Sequence, residues 1–194
     1  TIPRKFAGAN RTRAKIVDVS SPLVTLQARV DDRVRKILET RPAWPCRKGC
    51  DHCCRNLASP PVLTTPEWDD LQRGLRAIPQ ETISGVVQRA RELRASGAAR
   101  PVTCPLLDPI AGACLVYAHR PLFCRTYGFY AERDGGLYCT EILTRTGAGE
   151  FGDVIWGNHE SLAQDVEAEC GPAVAPLVDA LAQWPVHRVQ SDMI

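Results

Sequence analysis

The chain has 194 residues, 44% of them hydrophobic, enough apolar material to build a core and to exclude a disordered polypeptide. Twenty-four Lys and Arg stand against twenty-two Asp and Glu, and five basic residues (Arg4, Lys5, Arg11, Arg13, Lys15) fall in the first fifteen positions, leaving nineteen basic and twenty-two acidic residues in 16–194. A net-acidic folded part argues against a protein that grips nucleic-acid phosphates, and no apolar run nears the roughly eighteen residues of a membrane span or follows a basic start as a secretory signal does.

Residues 1–20 read as a basic, flexible N-terminal tail and 21–194 as a single cysteine-cluster metal-binding domain. Ser21-Pro22 is a cap and first helical position, and Leu23, Leu26, Val30, Val34 and Ile37 recur at helical spacing, predicting a helix over 22–40 that stops at Arg41-Pro42. Trp44-Pro45 lead into a first cysteine block in a loop or short helical turn. Thr65-Pro66-Glu67 repeats the cap signature ahead of Trp68, Leu71, Leu75 and Ile78, and a further helix carries Ile83, Val87, Ala90 and Leu93. After Ser96-Gly97 and Pro101 the periodicity fades, and Pro105, Pro109, Gly112 and Pro121 punctuate short segments. Residues 127–130 and 137–142 flank the turn-forming Asp134-Gly135-Gly136 and predict a short hairpin. Asn158 caps a helix through Leu162 and Val166 that ends at Gly171. Pro172 starts a last helix with Val174, Val178, Leu181 and Trp184 inward. The expected fold class is mainly α, with an irregular cysteine-rich metal-binding centre and a short β-hairpin.

Nine cysteines are the informative count. The number is odd, no export signal places the chain in an oxidising compartment, and four of the nine crowd into residues 46–54, which suits ligands better than crosslinks. The first block, Cys46-Arg-Lys-Gly-Cys50-Asp-His-Cys53-Cys54, is C-x3-C-x2-C-C, with Gly49 free to turn the backbone. Cys104, Cys114 and Cys124 form a second block, and Cys139 returns an eighth sulfur after the glycine turn. Because adjacent side chains point in different directions, Cys53 and Cys54 suggest two neighbouring sites. Two tetrahedral zinc ions, a [4Fe–4S] cluster with a further metal, and a bridging thiolate all satisfy that constraint. Arg47, Lys48, Arg55, Arg120 and Arg125 adjoin the thiols, either to offset thiolate charge or to face water. Phe123, Tyr127, Phe129 and Tyr130 read mainly as core packing. His52 and His119 read as residues beside the site rather than ligands. Asp51, Asp108 and Glu141 are left outside it, and Cys170 reads as a buried structural thiol.

The segments CRKGCDHCC, CPLLD and CLVYAHRPLFCR together resemble the YkgJ-type cysteine-cluster family, a zinc- or iron-chelating domain, over about residues 44–142. The resemblance implies metal ligation by Cys46, Cys50, Cys53, Cys54, Cys104, Cys114, Cys124 and Cys139, and it extends to Tyr117, Arg120-Pro121 and Cys124-Arg125. Members of the family are often labelled iron–sulfur oxidoreductases, and related cysteine blocks occur in longer flagellin lysine methylases.

These readings converge on a protein holding zinc or an iron–sulfur cluster in one or two metal centres. Iron would imply electron transfer, as an iron–sulfur oxidoreductase, or an accessory role in protein modification. The alternatives are a structural zinc module for protein interaction and a metal-dependent enzyme with an open coordination position. The expected partner is a redox or modification-pathway protein, with no membrane and no nucleic acid involved. The expected location is the cytoplasm.

Overall fold

The computed structural model describes residues 21–97, 100–133 and 135–185. The basic tail and Asp134 lie outside the described residues. Helix α1 runs Pro22–Thr40, with the Ser21 hydroxyl accepting from Val24 N at 3.3 Å, and it buries Leu23, Leu26, Val30 and Ile37. The expected stripe is therefore the buried one, with Val34 at its edge. Helix α2, His52–Arg55, is the short turn inside the first cysteine block. Strand β1 (Val62–Thr64) leads into α3 (Thr65–Arg76), which α4 (Gln80–Ser96) follows. The cap of α3 is Thr64 rather than Thr65, because Glu67 reaches back to the Thr64 backbone N–H at 2.9 Å and closes a capping box.

Short elements fill the middle of the chain. Strands β2 (Leu107–Asp108) and β3 (Ala113–Cys114) pair antiparallel, then come a 3-10 turn at Tyr117–His119 and helix α5 (Leu122–Thr126). The hairpin predicted around Gly135-Gly136 exists in a shifted form. Strand β4 (Tyr130–Glu132) pairs antiparallel with β5 (Gly135–Gly136), and residues from Thr140 onward form helix α6 (Thr140–Gly147) instead of a second strand. The helix wins because Ile142 is fully buried at helical spacing from the Cys139 cap, whereas a strand through 137–142 would alternate its faces. Strand β6 (Gly157–Asn158) joins β4 in parallel, and α7 (His159–Cys170) is capped by the Asn158 side chain on Ser161 N at 2.8 Å and ends at Gly171, as the sequence implied.

The predicted last helix from Pro172 is corrected. Residues Ala173–Pro176 form strand β7, paired antiparallel with β1, and α8 starts only at Leu177 and ends at Ala182. Val174 is accordingly exposed, while Val178 and Leu181 are buried as expected. Pro176 lacks an N–H and holds extended backbone before the helix, so it ends the strand and begins the helix in one residue. Among the described residues no helix is long and apolar enough to cross a membrane.

Two apolar clusters result. The first gathers Leu23, Leu26, Val30 and Ile37 of α1 around Trp44, Leu122, Phe129, Ile142, Phe151, Leu162 and Val166. Trp44 is its centre: its ring lies 4.4 Å from Phe151 and 5.9 Å from Phe129, and its Nε1 donates to Gly128 O at 3.2 Å. The second gathers Leu63, Leu71, Leu75, Ile83, Val86, Leu106 and Val116 with Leu177 and Leu181, where α8 packs on α4. A polar seam joins them. Glu67, 2% exposed, accepts Leu122 N at 3.0 Å across it, and Asp70 accepts from Gln27 Nε2 at 3.0 Å and from His119 Nδ1 at 2.7 Å.

Candidate metal centre

All nine cysteines are free thiols, and those of the two sequence blocks are divided between the two apolar clusters and a cavity between them. Cys46 follows the Trp44-Pro45 turn and packs, with Cys139, on the first cluster; Cys54, Cys104 and Cys114 pack on the second. Gly49 takes φ +95° in the turn where Cys50 N donates to Arg47 O at 3.0 Å, which folds the first block back on itself. Cys104 N donates to Cys54 O at 2.7 Å and ties the two blocks through the backbone.

A cavity of about 160 Å³ opens between these segments. Cys46, Cys50, Cys53, Cys124 and Cys139 line it, so three stretches distant in sequence present thiols to one space. Cys54, Cys104 and Cys114 do not line it and pack on the second cluster. Cys104, Cys114 and Cys124 all feel the charge of Cys53, and so does Cys46. Cys53 lines the cavity and the adjacent Cys54 does not, packing instead on the second cluster. Among the described residues, no three Cys, His, Asp or Glu side chains already stand at the spacing of a metal's ligands. The thiols face a shared cavity without closing on a single point.

Gly128 shapes one wall of this site. It has φ +87°, and a Cβ placed on it would lie 2.3 Å from Cys46 Sγ and 3.1 Å from Cys46 Cβ. Its carbonyl is the acceptor for Trp44, so the same residue pins both the core tryptophan and the thiol two positions later. Periodicity gave no sign of this; the Tyr127-Gly128 turn beside an aromatic run was the only trace in the sequence.

Electrostatics push Cys46, Cys53, Cys104, Cys114 and Cys124 toward their protonated form. Burial raises Cys46, with the neighbouring Cys50 and Cys139 adding to it, and burial lifts Cys104 to about 12. Contact with the Cys54 thiol and then burial push Cys53 well up; burial does the same to Cys114 and Cys124. Arg120 opposes the rise at Cys53, Cys114 and Cys124. A cation at the centre relieves both causes at once, because it compensates for lost solvation and for mutual thiolate repulsion. A donor set made of sulfur, without a lining carboxylate other than Asp31, fits zinc or iron–sulfur chemistry rather than calcium or magnesium.

The remaining candidates separate by contact. His52 lines the cavity, whereas His119 does not and is instead held by Asp70. Asp51 pairs with Arg55 at 2.6 Å, Asp108 accepts Ile110 N and Ala111 N, and Glu141 lies 4.0 Å from Arg145, so the three acids have other partners. Tyr127 and Phe129 line the cavity; the Phe123 ring meets His159 at a tilt, 4.8 Å between centres, and Tyr130 is buried in the first cluster. Cys170 stands apart at the end of α7, half-buried rather than fully buried. A larger open groove of about 710 Å³ lies between α3, α4 and β7 beside Trp68 and Trp184, but no cysteine lines it.

A helical frame that gathers free thiols from both halves of the chain around one cavity defines a cysteine-cluster protein. The CxxCxxCC family, described as a "putative zinc- or iron-chelating domain", matches residues 45–145, more than half of the 194, and the chain belongs to that family. The matched span holds all eight clustered cysteines and leaves out Cys170. No curated protein and no solved structure matches the chain significantly.

Proposed function

We propose that Cys46, Cys50, Cys53, Cys54, Cys104, Cys114, Cys124 and Cys139 hold zinc or an iron–sulfur cluster at the junction of the two apolar clusters. The observation that carries this reading is the convergence of Cys46, Cys50, Cys53, Cys124 and Cys139 on one cavity. Cys46, Cys50 and Cys139 form one arc of ligands and Cys104, Cys114 and Cys124 another, with Cys53 within electrostatic reach of both. That arrangement supports two adjacent centres, which Cys53 and Cys54 join. Bound iron would supply one-electron chemistry, and bound zinc a rigid crosslink between the clusters.

With iron the role is electron transfer or an accessory step in protein modification, and the partner is a protein of such a pathway. The cytoplasm, where thiols stay reduced, is the setting that fits nine free cysteines. The structural zinc reading has its own support, since the thiols sit on the seam that a metal would fasten. The test is metal content in purified variants. Cys53→Ser lowers bound metal by at least half, and Cys170→Ser leaves it unchanged. Equal metal in Cys53→Ser and the parent protein would remove Cys53 from the ligands.

A further inference from the structure

The lining of the thiol cavity carries more positive charge than its one carboxylate balances. Arg47, Lys48, Arg120 and Arg125 line it, and its one carboxylate, Asp31, is already committed. Asp31 accepts from Arg125 Nη1 at 2.9 Å, while Arg125 donates through Nε to Arg120 O at 3.0 Å and through Nη2 to Ala118 O. That guanidinium is 9% exposed and serves as a clasp on the 118–120 turn.

Arg120 is held differently. Its guanidinium lies 3.5 Å from the centre of the Tyr117 ring, and its Nε donates to Tyr117 O at 3.0 Å. The stacking fixes the plane of the group, yet its two terminal amino groups meet no hydrogen-bond acceptor among the described residues. Lys48 Nζ sits 5.6 Å from the centre of the same ring, also without an ion pair among the described residues. Two cations thus converge on one aromatic ring. The ring attracts each of them. Arg47, one residue before Lys48, adds a third charge to the rim.

We propose that Lys48, Arg120 and Tyr117, with Arg47 at the edge, form a site for an oxyanion: the carboxylate or phosphoryl group of a ligand that approaches the thiol cavity. The terminal amino groups of Arg120 match two oxygens of such a group, and Lys48, near the same ring, supplies a point charge. The site consists of the chain's own side chains, so it stands whether the thiols carry zinc, iron or protons. The competing use of Arg120 is as counter-charge to the thiolates of Cys53, Cys114 and Cys124.

The experiment titrates the full chain with succinate, with inorganic phosphate and with a hexaglutamate peptide, following backbone amide shifts by NMR and measuring metal content in every sample. The parent protein shows saturable shifts at Lys48 and Tyr117 that weaken with added salt. Lys48→Met and Arg120→Gln each weaken binding roughly tenfold or more, the scale of a lost charge-assisted hydrogen bond, and Lys48→Met keeps the metal content of the parent. Saturation by succinate or phosphate assigns the site to a small ligand; saturation by hexaglutamate alone assigns it to an acidic side chain of a protein. No saturable shift with any of the three probes overturns the proposal. So does equal affinity in Lys48→Met and the parent. A parent that binds succinate or phosphate but neither carries metal nor takes up zinc or iron with sulfide would sink the metal reading and leave the oxyanion site standing.

Discussion

Cys46 keeps its place because the residue facing it has no side chain. Gly128→Ala would force a methyl to 2.3 Å from Cys46 Sγ at a φ of +87°, which costs about 1–2 kcal/mol in backbone strain alone. The expected outcome is a folded protein with reduced metal content, read by elemental analysis beside a far-UV spectrum; full metal loading would show that Cys46 is no ligand. Glu67 acts on the other side of the seam. Its carboxylate takes Thr64 N, Thr64 Oγ1 and Leu122 N, each within 3.0 Å. Glu67→Ala orphans two buried backbone donors and should cost roughly 2–4 kcal/mol, measured as a lower urea midpoint. Asp70 carries a pH signature. Burial works against its charge, but hydrogen bonds from Gln27 and His119 and the positive charge of His119 and Arg73 prevail and hold its pKa below the ordinary carboxylate value. Its contribution is therefore complete above the unfolded value near ~4 and disappears as pH falls through the lower folded one. Urea melts of the parent and Asp70→Asn should differ at pH 7 and converge toward pH 3; a constant gap would contradict this.

At the scale of elements, the chain was legible where local chemistry and tertiary packing agree. α1, α4 and α7 lie where apolar spacing and caps put them, because Ser21 and Asn158 satisfy first-turn donors and most of the apolar positions at helical spacing are buried. Asn158→Ala should lower stability by about 1 kcal/mol through the lost Ser161 bond, a shift of a few degrees in Tm. Legibility failed where a partner distant in sequence decides. Apolar spacing through Val174 and Val178 suited a helix, but β1 recruits Ala173–Pro176 into a ladder, and no local signal announces β1 as its partner. Residues 137–142 likewise read as a strand, yet the backbone pairing reaches only Leu137, which donates to Tyr130 O and accepts from Gly128 N, and Cys139 becomes a helix cap. The cysteine blocks were legible from spacing alone, since ligands crowd where packing residues do not. Their assembly was not, because it depends on Gly128, on the Cys54–Cys104 backbone bond and on which cluster each thiol packs against.

At the scale of the molecule, two apolar clusters meet along a seam of thiols and hydrogen-bonded carboxylates. The segments between α4 and α6 hold only short strands and helical turns, so metal bonds would take over the work that regular secondary structure does elsewhere. Chelation should therefore leave the far-UV helical signal largely intact while exposing residues 104–139 to proteolysis before α1 and α4; cleavage that begins in α4 would show that the metal does not hold this region.

The most direct test of the thiol-centred account is metal and acid-labile sulfide analysis with an absorption spectrum, on protein purified without oxygen and never exposed to chelator. The account predicts bound zinc in a colourless protein, or iron with matching sulfide and a broad visible band, in either case lost from Cys53→Ser and retained in Cys170→Ser. Protein that carries neither metal, and takes up neither when zinc or iron with sulfide is supplied, would contradict it.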